Sequence, residues 1–152
     1  MINERINQME KSNKFLKVTG ILMIIGGSFG LIASIFLLLF GVILAMGALL
    51  NPVPGVTLLV TMVTISILIA VAGAIVQFVA GVSGVKNAKN PEKANQLIFL
   101  GALTAFFYIV SQIMSFIGGA PRTFLDYIVV VFGLVVPALY LVGAYQLKSK
   151  ED

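Results

Sequence analysis

From Val18 to Leu50 the chain carries no charged side chain. That single run limits the available folds more than any other feature. About 20 apolar residues cross the hydrocarbon core of a bilayer, and a helix there satisfies its own backbone hydrogen bonds where no water can. In water the same run would expose far more contiguous apolar surface than a soluble fold carries. The rest of the chain reads as helices and turns arranged around this first span.

Charge is scarce everywhere. Charged residues are 11% of the 152 residues and hydrophobic ones 59%, whereas soluble domains carry about 25% charged residues. The length suits one domain, with no room for a separate soluble catalytic unit. The chain has no Cys and no His. Disulfides and thiolate chemistry are thereby excluded, and the commonest general base and transition-metal ligand is missing. Trp is also absent, so any belt at the membrane interface must use Tyr. Ala45-Met46-Gly47 has the look of a signal-peptidase site. The apolar segment before it is about twice a normal 7–15-residue signal core, and another apolar run follows, so the expectation is an uncleaved span.

In chain order, Met1–Lys14 places Ile2, Ile6 and Met9 about one helical turn apart among polar residues. It reads either as a short surface helix or as a polar tail. The first span covers residues 15–50. Asn51-Pro52-Val53-Pro54-Gly55 breaks it, because each proline lacks an N–H and disfavours helix in the residue before it. A re-entrant turn around 41–58 is the alternative there. The second span covers 56–85. Next comes the most polar internal stretch, Lys86–Lys93, with helix-start chemistry in Asn90 as N-cap, Pro91 at the first helical position and Glu92 in the first turn. The third span covers 94–117, up to Gly118-Gly119. The fourth covers 123–147, with a kink expected at Pro137. The expected fold is an all-α integral membrane protein, an antiparallel four-helix transmembrane bundle forming one domain over 1–152.

Charge placement predicts orientation. With four spans, Arg5, Lys11, Lys14, Lys17, Lys86, Lys89, Lys93, Lys148 and Lys150 share one side, and Arg122 alone is on the other. Such a bias puts both termini in the cytoplasm. Lys86, Lys89 and Lys93 are the cytoplasmic basic loop, read as topology determinants ahead of an anionic-lipid or acidic-partner site.

Each span carries a stripe of small or polar residues at steps of three, four or seven. The packing positions singled out are Gly27, Gly30, Gly73, Gln77, Gly81, Gly84 and Gly133. Small residues let backbones approach closely, which is how lipid-embedded helices gain contact. The large residues Phe99, Phe106, Phe107, Val110 and Met114 are expected on the lipid face of the third span.

Little in the chain can carry chemistry. No charge sits mid-span, which argues against coupled ion transport. No phosphate loop, carboxylate pair or metal-ligand cluster is present. The expectation is therefore no enzyme, no cofactor, no metal and no nucleic acid. One constellation stands out. Asp126 and Arg122, one turn apart, join Gln112, Ser115, Tyr108, Thr61 and Thr64 in the outer half, together with Ser111 and Thr57. These could converge on an outward-facing polar cleft floored by Tyr108. Ordinary interhelical hydrogen bonding is the plainer account.

The Gly-rich first span, a second span ending in Gly81-Val82-Ser83-Gly84-Val85-Lys86-Asn87-Ala88, and Asn90-Pro91-Glu92-Lys93-Ala94 opening the third resemble the small four-span membrane proteins of Gram-positive bacteria. The resemblance implies a bacterial plasma membrane location and carries over no functional residue. Two function classes follow. The first is a non-enzymatic membrane protein acting by protein or lipid interaction, as an accessory, scaffold or immunity-type subunit, whose partners are membrane lipids and a protein partner or second copy. The second is a small-molecule or lipid transporter or channel using the cleft. An intramembrane enzyme, using Asp126 and Tyr108, ranks third.

Overall fold

A computed structural model describes residues 2–50, 55–117 and 123–149. Side chains are described from Lys14 onward, apart from several in the halves of the helices near Leu50. Four long helices account for nearly all of it: α1 (Ile2–Leu50), α2 (Val56–Asn87), α3 (Ala94–Ile117) and α4 (Phe124–Lys148). No strand occurs among the described residues. The helices form a four-membered ring in which α1 packs on α2 and α4, and α3 also packs on α2 and α4.

The α1–α2 pair is the most extensive, and glycines set its spacing. A methyl group placed on Gly27 would stand 2.8 Å from the Phe78 backbone nitrogen, and one on Gly81 would stand 2.7 Å from the Gly20 carbonyl. Gly30 faces Ala74 at 3.2 Å and Gly41 faces Ile67 at 3.3 Å by the same measure. As numbering rises on α1 it falls on α2, so the pair is antiparallel. Backbones this close gain dispersion contact that larger residues would prevent. The α3–α4 pair is antiparallel too, with Gly101 against Tyr140 and Leu141, and Gly133 against Tyr108.

Three helical stretches, Lys14–Leu50, Val60–Asn87 and Pro91–Met114, are long and apolar enough to cross a membrane. Their outward faces suit hydrocarbon: Phe29, Phe36, Phe99 and Phe106 are each 60–70% exposed. These features point to a membrane location. Helix α4, 25 residues long, is uncharged from Tyr127 to Leu147.

Burial is lopsided. The core is Leu16, Met23, Ala80, Ala88, Ala94, Leu97, Tyr140, Ala144 and Leu147, all toward the end where α2 meets α3. Toward the other end no described residue beyond Ser34 on α1, or before Ile67 on α2, is buried.

Several expectations change. Residues 2–14 are neither a separate surface helix nor a loose tail, because α1 runs unbroken from Ile2. The uncharged backbone that follows simply continues the same hydrogen-bond ladder. The first turn after Asn90 is a 3-10 turn, Pro91–Lys93, and Asn90 caps it without a side-chain hydrogen bond. Its backbone serves instead, the Asn90 carbonyl accepting from the Lys93 N–H at 3.2 Å. Phe107 is not a lipid-facing residue like Phe106, for its Cβ lies 3.2 Å from where a Gly73 methyl would stand. Residues 51–54, including the Asn51–Pro54 part of the predicted break, lie outside the described residues. Gly55 opens α2 with φ of 88°, a left-handed conformation that suits glycine.

Candidate functional site

The most constrained polar group is Tyr140. It is fully buried, and its hydroxyl donates a 2.8 Å hydrogen bond to the Ala80 carbonyl of α2. Gly84, one turn along, makes this possible. Any side chain there would overlap the tyrosine ring, and a residue four positions on in a helix lies beside that carbonyl. Gly101 of α3 clears the ring's other side, where a methyl would come within 2.8 Å of Tyr140 Cδ1. One tyrosine of α4 thus fills a notch cut by glycines on two other helices.

A second junction repeats the pattern near the opposite end. Tyr108 of α3 donates a 3.1 Å hydrogen bond to the Val130 carbonyl of α4. Gly133, three residues further on, leaves the space the phenol occupies. Gln112, one turn along α3, is the side-chain hydrogen-bond partner of Tyr108. Tyr108 and Gln112, placed together in the expected cleft, are thus joined in the α3–α4 seam. Gln77 lies in the α1–α2 seam, its amide nitrogen 2.6 Å from where a Gly26 methyl would stand.

Of the other residues of the expected cleft, only some side chains are described. Thr61 and Thr64 are exposed on α2, and the Thr64 hydroxyl donates to its own helix at the Val60 carbonyl, 2.8 Å away. Thr64 lines a shallow apolar groove with Gly41, Leu44, Val60 and Val63, between α1 and α2. Hydroxyls on a helix readily bond the carbonyl four residues back, and sequence spacing alone does not reveal that. Arg122 lies outside the described residues, as do the side chains of Ser115, Asp126 and Thr57. The buried hydroxyls bond locally as well: Ser34 to Gly30 at 2.6 Å, Thr104 to Leu100 at 2.9 Å and Thr19 to Phe15 and Leu16, both at 3.1 Å.

Compared with protein-family models, curated proteins and solved structures, the chain matches none.

At the closed end of the bundle Lys14, Lys17, Lys86, Lys89, Lys93 and Lys148 are all exposed. Their common level follows from the packing. A methyl on Gly20 would touch Val85, and one on Gly143 would lie 3.2 Å from Leu16 Cδ1. Glu92 is exposed among them. No group of three or more His, Cys, Asp or Glu that could hold a metal occurs among the described residues.

Sequence reasoning does not single out Tyr140. A signal was available. A tyrosine is rarely left unpaired inside apolar surroundings, and α4 offers it no polar side chain one turn away.

Proposed function

We propose that this chain is a multi-pass protein of the bacterial plasma membrane that crosses four times, keeps both termini in the cytoplasm, and acts by protein or lipid interaction rather than by catalysis. The observation that carries the reading is the Tyr140 junction. The centre of the closed end is filled by Leu16, Met23, Leu97, Tyr140 and Leu147, and the buried hydroxyls of Thr19, Ser34 and Thr104 are spent on their own helices. Such an interior suits a rigid packing body more than a pathway, which needs polar groups left available to a permeant. The basic end supports the orientation, since exposed lysines mark cytoplasmic ends.

Stoichiometric capture tests it. The tagged protein, crosslinked in its native membrane and purified in mild detergent, is expected to bring down one defined partner or a second copy of itself. Purification as a solitary monomer with no co-purified phospholipid under those conditions overturns the reading. The transport alternative has one favourable feature, the lack of burial among the described residues toward the Leu50 end. Solute flux in liposomes, abolished by Gln112→Leu, would establish transport instead.

A further inference from the structure

Two helices of this bundle outreach the other two. On α1 and α2, Gly20 meets Gly81, Gly30 meets Ala74 and Gly41 meets Ile67; between α2 and α3, Gly73 meets Phe107. Tyr140 touches Ala80, Gly84 and Gly101, which sets the same level independently. Continued residue by residue, these registers put Ile117, the end of α3, beside Val63 of α2 and Ala45 of α1. Helix α4 begins at that level, since Gly133 meets Tyr108 and Gly101 meets Leu141. The α1–α2 hairpin therefore continues for about 8–10 Å beyond it, at 1.5 Å per residue.

That extension is wholly uncharged. It presents Met46, Leu49 and Leu50 outward, the last two 80% and 79% exposed. Measured from the lysines at the closed end, Val18–Leu50 spans about 50 Å against a hydrocarbon core of about 30 Å. Tilt does not absorb the difference. At about 40°, the upper end of the usual range, the segment still needs about 38 Å of hydrocarbon. The 24 residues of α3, about 36 Å long, fit with ordinary tilt.

We propose that the α1–α2 hairpin is a lipid-selecting arm that gathers long-chain phospholipids on one side of the protein and thickens the bilayer there. The occupant is acyl chain rather than protein because the mismatch is one of length, on a surface with no charge to recognise a partner. The proposal rests on the membrane reading above and adds the partner's chemistry.

The chain lacks Trp, so single reporters are clean. Leu49→Trp marks the arm, and Phe99→Trp marks the exposed face of α3. Each full-length variant is reconstituted in phosphatidylcholine vesicles with monounsaturated chains graded from myristoleoyl to nervonoyl, and quenching by brominated lipid gives relative binding constants. At position 49 the preference for the longest over the shortest chains should be roughly fivefold, and at position 99 under about twofold. A flat dependence at both positions overturns the proposal. So does quenching at 49 by aqueous iodide but not by lipid. Concentration-dependent energy transfer between labelled copies, with lipid quenching lost, would assign the arm to a second copy instead. Failure of the chain to insert in any vesicle would sink the membrane reading itself, and the arm with it.

Discussion

The Tyr140 hydroxyl on α4 hydrogen-bonds the Ala80 carbonyl on α2, reaching across the ring of helices rather than to an adjacent one. In hydrocarbon such a bond ties two segments whose only other link is dispersion, and measured values are about 0.6–2 kcal/mol. Tyr140→Phe keeps the ring in its notch and removes only that bond, so a loss of about 1 kcal/mol is expected. Tyr140→Ala also empties the notch and should cost about 3–5 kcal/mol. Unfolding in mixed micelles, followed by helical circular dichroism, measures both. Equal effects would mean that the ring contributes nothing beyond its hydroxyl.

Close approach of α1 and α2 gives a second expectation. Gly27→Leu sets a side chain against the Phe78 backbone, which cannot rotate away, so the helices must separate at a cost of about 2 kcal/mol or more. Gly47→Leu meets nothing within 4 Å and should stay within about 0.5 kcal/mol of the parent. The same unfolding assay compares them. Indistinguishable variants would contradict the packing described.

Tyr108 and Gln112 act as a unit. Tyr108→Phe and Gln112→Leu remove the two ends of one side-chain hydrogen bond. Their effects should therefore be non-additive by about 0.5 kcal/mol or more in a double-mutant cycle. Strict additivity would show that the Val130 carbonyl is the only partner of consequence for Tyr108.

Orientation is open to direct labelling, since cysteine is absent from the chain. Lys89→Cys and Ser149→Cys should react with a membrane-impermeant maleimide only after cells are permeabilised. Thr123→Cys should react in intact cells. Reaction of Lys89→Cys and Ser149→Cys from opposite faces would exclude an even number of crossings.

Helix limits were the most legible part of this sequence, because charge and proline mark them. Lys86 and Asn87 end α2, and Pro91 restarts the chain. The stripes also announced which faces are small. They could not announce which partner fills each gap. Size alone points Phe107 to lipid, yet size is what the space beside Gly73 demands. Membrane depth places Thr61, Thr64 and Tyr108 in one half of the bundle but says nothing about azimuth around the ring. The carbonyl chosen by each tyrosine was equally hidden. It depends on a glycine in another helix, three or four residues beyond the acceptor, a relation visible only once register is known.

The outward face of α4 also carries a tyrosine near each end, Tyr127 and Tyr145, each more than half exposed. They are placed to serve as the interfacial anchors that a chain without Trp must draw from Tyr.

Helix α1 is one rod from Ile2 to Leu50, with no proline and no loop to act as a joint. Whatever grips its amino-terminal end therefore holds a lever whose far tip lies beyond the shorter pair of helices. A small swing at the handle becomes a proportionate sweep at the tip, with the glycine-lined seam against α2 as the fulcrum.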